Sequence, residues 1–245
     1  MLHIQNGIIT DPAIAGIPLE RAIIPKDASP YVRTGIPMTS IRGITNHNTG
    51  NPSPTADARA HAHWLAGVEA RNEAYIGAHF FVDHRRIVQT LPINEVAWHA
   101  GDGQGPGNMS TVAIEICESQ AAAAEANAIL LNAALLITYP NWQIYKHQDW
   151  SGKFCPRLIL GQGRWPAFVQ AIRTTVNRLQ AEAQPQPTPQ PAPAPSPWAR
   201  EAVKWAEATG LLRGRADGPA YQAPASREEV LAFLYRLHGD RHAQK

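Results

Sequence analysis

The sequence predicts an α/β or α+β protein built on a mixed β-sheet, and three observations predict it. Strand-like and helix-like runs interleave between residues 40 and 180. The run Thr111 to Cys117 alternates, with Val112, Ile114 and Ile116 on one face and Ala113, Glu115 and Cys117 on the other, and the first face is expected to be core. Trp165, Phe168, Val169, Ile172, Val176 and Leu179 recur at helical spacing, which gives an amphipathic helix from Trp165 to about Gln180.

The remaining elements follow in chain order. Ser40 to His47 reads as a strand, and Ser53-Pro54 supplies a cap and first turn for a helix running to about Ala70. Two strand-like runs, Ala78 to Asp83 and Ile87 to Leu91, flank His84-Arg85-Arg86 and predict a hairpin. A glycine-rich loop, Gly101 to Gly107, precedes the alternating strand, and Ala121 to Thr138 follows as a helix.

Composition narrows the partners. Among 245 residues, 22 lysines and arginines oppose 20 acidic residues, a net charge of +2, so no nucleic acid is expected as partner. No membrane is expected either: the apolar stretch Ala128 to Ile137 contains Asn132 and is short for a bilayer. Met1 to Ala15 lacks the pattern of a secretory signal, which leads to the expectation of a cytosolic product with reduced thiols. Cys117 and Cys155 therefore each need their own explanation.

Proline at nearly every second position from Gln184 to Pro197 excludes helix and sheet and predicts an extended spacer. The chain accordingly reads as a domain over 1–180, a linker over 181–197 and a small module over 198–245.

Chemistry concentrates in His147-Gln-Asp-Trp-Ser-Gly-Lys153-Phe-Cys155-Pro156, which carries an imidazole, an amine and a thiol on one non-periodic stretch. Imidazole and thiolate are zinc ligands, and a catalytic zinc takes three protein donors with one open position. His47, at the end of its strand before Asn48-Thr49-Gly50-Asn51, is the best third candidate. Taken singly, one histidine in a chain with ten suits the surface or a hydrogen-bonded core position, and a lone cysteine reads as a small buried hydrophobe. His61 and His63, two apart on a helix, point to different sides and read as surface or packing.

Asn46-His47-Asn48-Thr49, His79-Phe80-Phe81-Val82-Asp83, Trp98-His99-Ala100-Gly101, Ile114-Glu115-Ile116-Cys117 and His147…Lys153-Phe154-Cys155-Pro156 together resemble the zinc-dependent N-acetylmuramoyl-L-alanine amidases. These are the phage endolysins and bacterial autolysins that share a fold with peptidoglycan recognition proteins. The resemblance spans about residues 20 to 180 and implies a central mixed sheet flanked by helices. It implies zinc on His47, His147 and Cys155, with Glu115 and Lys153 as catalytic residues. Glu115 would relay a proton from water to the leaving amine, and Lys153 would stabilise the oxyanion. The implied substrate is bacterial peptidoglycan, cut at the amide between N-acetylmuramic acid and L-alanine. Trp98, His99 and His79 are the candidate substrate-binding residues, since aromatic rings suit sugar and peptide surfaces, with a core position as the other reading of Trp98. Ala78 departs from the tyrosine that some relatives carry before the His-Phe pair, which shifts weight onto Lys153 or His79. Cys117 and Glu118 read as a buried strand thiol and a solvent-exposed carboxylate.

In the C-terminal module, Trp198 to Gly210 reads as a helix stopped by glycine, and Ser226-Arg227-Glu228-Glu229 as a capping box opening a helix with Val230, Phe233, Leu234 and Leu237 on one face. This pattern resembles a single S-layer homology motif, without its usual Phe-x-Asp opening. The resemblance implies a secondary cell-wall polysaccharide as partner, contacted by Arg227. The reading that results is an endolysin held in the host cytoplasm before lysis and acting on the cell wall. The rival is a protein of the same fold that binds peptidoglycan without cutting it.

Overall fold

The computed structural model describes residues 1–26, 31–71, 73–183, 194–210, 224–225 and 227–242. The chain divides into two compact units, Met1–Ala183 and Gln184–Lys245.

In the first unit, strands β1 (Ile4–Gln5) and β2 (Ile8–Ile9) form a small antiparallel hairpin. The main sheet contains β3 (Ala13–Ile14), β4 (Ile17–Arg21), β5 (Gly43–Asn48), β6 (Phe80–Val82), β7 (Ile87–Gln89), β8 (Thr111–Ile116) and β9 (Gln143–Lys146). Among the described residues it has seven strands in the order β3-β4-β7-β6-β8-β5-β9. The strands β6, β8, β5 and β9 run parallel, whereas β6 with β7 and β3 with β4 are antiparallel, so the sheet is mixed.

Helices α1 (Ala58–Arg71) and α2 (Pro106–Ser110) precede β8, α3 (Ala121–Thr138) follows it, and α4 (Gln148–Ser151), α5 (Arg157–Gly161) and α6 (Trp165–Ala183) come after β9. Ile44, Phe80, Val82, Val112, Ile114 and Ile116 form one apolar layer with Ala128, Leu131 and Leu135 of α3 and Phe168 and Ile172 of α6. Ala113, Cys117, Phe81 and Val88, pointing the other way, pack with Ala58, Ala62, Leu65 and Val68 of α1. Both faces of the sheet are thus covered by helices, as parallel strands require.

The alternation read from Thr111 to Cys117 holds, but on its second face Ala113 and Cys117 are buried as well and Glu115 partly so. The cap of α1 is a correction: Asp57, whose Oδ1 accepts the Ala60 N–H at 2.8 Å, starts the helix, while Ser53-Pro54 lies in the preceding turn. Asp83 reinforces it by accepting the Ala58 N–H at 3.0 Å. Helix α3 is long and apolar enough to cross a bilayer, more than the stretch read from sequence. Its Asn132 instead donates to Asn46 Oδ1 of β5 at 2.9 Å, and its apolar residues cover the sheet.

In the second unit, a 3₁₀ turn at Pro197–Ala199 leads into α7 (Arg200–Ala208), with Gly210 at φ +69° in the turn beyond, and α8 spans Arg227–His242. Most of the proline spacer and Ser226 of the expected capping box lie outside the described residues. Trp198 and Trp205 of this unit are exposed, as is Arg227.

Candidate metal centre and active site

Three neighbouring parallel strands build the site at their C-terminal ends, where open α/β sheets place their ligands. In β5, Ile44 and Asn46 face α3, so Thr45 and His47 face the other way. The register sets His47 directly opposite Glu115 of β8, and β9, paired on the other side with Asn46 opposite Lys146, ends one residue before His147. Cys155 arrives from the loop between α4 and α5, where Asn48 secures it. The Asn48 N–H points at Cys155 Sγ at 3.4 Å, and Asn48 Oδ1 accepts the Leu158 N–H at 3.0 Å.

His47 Nδ1 lies 3.0 Å from His147 Nδ1 and 3.9 Å from Cys155 Sγ. One donor atom from each of the three residues falls within 4.8 Å of the others. A tetrahedral zinc at ordinary bond lengths separates two nitrogens by about 3.3 Å and a nitrogen from a sulfur by about 3.6 Å. The imidazoles already stand near that spacing, with the thiol slightly further out, so the donor set fits a zinc ion in chemistry and in scale. All three are buried. Burial pushes His147 down to about 4 and the Cys155 thiol up to about 11, and it holds His47 well below the usual histidine range. The imidazoles are therefore neutral donors at neutral pH.

Glu115 Oε1 lies 3.9 Å from His47 Nδ1, and among the described residues Glu115 Oε2 is buried without a hydrogen-bond partner. Burial pushes this carboxyl up to about 7, against the pull of Lys153. Lys153 is exposed at the mouth of the same cavity, which encloses about 750 Å³. His47, His147, Cys155, Glu115, Lys153, Trp98 and His99 all line it. Trp98 is half-buried and meets the exposed Tyr75 edge to face, with ring centroids 6.4 Å apart.

Two expectations are corrected. His79 does not line the cavity: it is fully buried, its Nδ1 accepts the Ala113 N–H at 2.9 Å, and its Nε2–H donates to the Glu95 carbonyl at 2.9 Å. No ring nitrogen is left for substrate. Glu118 is not solvent-exposed: Arg157 pairs with it through two contacts, and its Oε1 accepts the Gly50 N–H at 3.1 Å. Cys117 is buried on the α1 side with Sγ 3.8 Å from His61 Nδ1, and burial holds its thiol far above the usual range.

Sequence reading passed over Tyr75 and Asn108. Tyr75 forms part of the cavity wall from a loop without periodicity. Asn108 Oδ1 accepts both the His99 and Ala100 N–H groups at 2.7 Å and so holds the segment beside His47. An asparagine just after a glycine-rich loop was the available signal.

The fold and the site define a class: a mixed α/β protein with two histidines and a cysteine that could hold a metal ion at the C-terminal edge of its parallel strands, beside a partly buried carboxyl. The family model described as N-acetylmuramoyl-L-alanine amidase matches residues 37–158. N-acetylmuramoyl-L-alanine amidase CwlA of Bacillus subtilis is 30% identical over 78% of this chain and 71% of its own length. The chain belongs to this amidase family. N-acetylmuramoyl-L-alanine amidase XlyB of Bacillus subtilis is 41% identical over 55% of this chain, which spans only 43% of XlyB. The solved catalytic domain of XlyA is 40% identical, with a TM-score of 0.57 over 64% of this chain and 99% of that one.

Proposed function

We propose that this chain is a peptidoglycan hydrolase that cleaves the amide between N-acetylmuramic acid and the L-alanine of the stem peptide. The observation that carries the reading is the convergence of His47, His147 and Cys155 beside the Glu115 carboxyl in a single cavity. Family membership supports it, since the relatives bear the name of that activity.

Zinc held by these residues would act as Lewis acid and lower the pKa of a bound water. The chain's own groups do the rest. Glu115, with its carboxyl near 7, can take a proton on its unpartnered Oε2 and return it to the leaving amine at neutral pH. Lys153, whose charge reaches Glu115, His47 and His147 across the cavity, stabilises the negative charge that develops on the carbonyl oxygen. Trp98 offers an aromatic wall for sugar or peptide, with Tyr75 beside it.

The second unit is read as a cell-wall anchor of S-layer homology type, binding an anionic wall polysaccharide through Arg227. The exposure of Arg227 in the first turn of α8 supports this. Phage origin follows as part of the same reading, with the protein waiting in the host cytoplasm until lysis.

Digestion of isolated walls by the purified chain tests the proposal. Mass spectrometry is expected to find stem peptides with a free L-alanine amine, alongside one zinc per chain. Glycan fragments with intact peptides, or no release at all, would refute it.

A further inference from the structure

A histidine binds a metal through the nitrogen that carries no hydrogen, and the partner of the other nitrogen decides which one that is. The surroundings of His47 settle the matter. Its Nδ1 faces His147 and Cys155, while its Nε2 lies 3.0 Å from Nδ1 of His99. His99 Nε2 in turn lies 3.3 Å from the Thr111 carbonyl, which can only accept. The Thr111 hydroxyl, 3.5 Å from the same nitrogen, donates to the Gly107 carbonyl at 2.6 Å and so offers His99 only a lone pair. His99 therefore carries its hydrogen on Nε2, and its Nδ1 is a bare acceptor. His47 must donate from Nε2, which leaves its Nδ1 without hydrogen and aimed into the donor cluster.

We propose that His99 is a positioning residue that locks His47 in its Nε2–H tautomer and so prepares Nδ1 to hold a divalent cation. The inference rests on the metal reading given above. It moves His99 from a substrate contact to a support of the ligand set, in keeping with its burial at 8% exposure.

The support is itself fixed. The Trp150 Nε1–H donates to Thr45 Oγ1 at 2.9 Å, leaving the Thr45 hydroxyl to donate to Thr111 Oγ1 at 2.7 Å, and Thr111 passes on to Gly107. Every donor in this run has one direction, so the acceptor role of His99 follows from the ends of the network. A neutral imidazole also orients His47 without adding negative charge to the site.

Nitrogen-15 NMR of the metal-free full chain is expected to show both His47 and His99 protonated on Nε2, and hydrogen on His99 Nδ1 would overturn the proposal. Zinc titration against a competing chelator gives the second readout. His99→Ala is expected to weaken zinc binding by about 10- to 100-fold. His99→Asn, whose Oδ1 can take the place of Nδ1 as acceptor, should recover most of that loss, and His99→Leu should not. Wild-type affinity in His99→Leu, or no difference between the Asn and Leu variants, would refute the lock. Should His99→Ala not fold, the Asn and Leu pair and the wild-type spectrum still decide. Absence of zinc uptake by the wild type would instead strike the metal reading, and the tautomers would judge this inference by themselves.

Discussion

Glu115 and Cys155 stand a few ångströms from the same imidazole and are asked to do different things, which makes them separable by single substitutions. Glu115→Gln keeps the volume and removes the titrating oxygen. It is expected to retain zinc while losing about 10²- to 10⁴-fold in turnover on isolated walls. Cys155→Ala removes a donor, and metal analysis should show lost zinc with the helical circular dichroism unchanged. Undiminished zinc in that variant would remove Cys155 from the ligand set. His79 sets a pH dependence of another kind, on stability. Burial pushes it down to about 4 from the ordinary 6.5, against the pull of Glu95, and a second proton would also break its bond from the Ala113 N–H. The folded value lies below the unfolded one, so its contribution is complete above about pH 6.5, declines as the pH falls through that value, and levels off below about pH 4. The gap is worth on the order of 3 kcal/mol. His79→Asn should therefore unfold in urea with a shallower loss of stability between pH 6.5 and 4 than the wild type, and parallel curves would contradict this.

At the scale of elements, the site depends on β8, β5 and β9 lying side by side at the observed register. Gly43 opens β5 opposite Gln143, and a Cβ there would stand only 2.1 Å from the Gln143 carbonyl oxygen. Gly43→Ala must push β9 away and with it His147. The expected result is a destabilisation of about 1–3 kcal/mol in thermal or urea unfolding, accompanied by weaker zinc binding. A variant as stable as the wild type would show that the edge strand gives way freely. Elements were legible in the sequence where a pattern was long: α6 and β8 emerge from apolar spacing, and α3 from a long alanine- and leucine-rich run that is apolar nearly all round. The strands β1 to β3 have two residues each, too short for a period to register, and β9 is a mostly polar edge strand without clean alternation.

For the whole molecule, the division after Ala183 separates the candidate active site from the second unit, in which Trp198 and Trp205 are exposed. Among the described residues, all that line the cavity belong to the first unit. A fragment of residues 1–183 is therefore expected to melt as the first unit does in the full chain and, on the proposed function, to release stem peptides from solubilised wall fragments at the full-chain rate. Its retention on intact walls in a sedimentation assay should fall. Equal sedimentation of fragment and full chain would remove the anchoring role from residues 184–245, and loss of hydrolysis would place part of the site there.

What the sequence by itself determined was the class of fold, from interleaved elements and the two-residue period of Thr111 to Cys117, and the list of groups able to do chemistry. His47 and His147 are a hundred positions apart, and no local pattern says that they meet; ordered motifs suggested the set, and the register of β5 against β9 brings the rings to 3.0 Å. Tertiary structure alone decided the fates of His79, His99 and Glu118. Each is a polar side chain whose role depends on which partners burial forces upon it: main-chain groups for His79, a neighbouring imidazole for His99, an arginine for Glu118. Burial removes water as an alternative partner, so a buried polar group must pair with whatever the fold brings near, and residue type cannot foretell that partner.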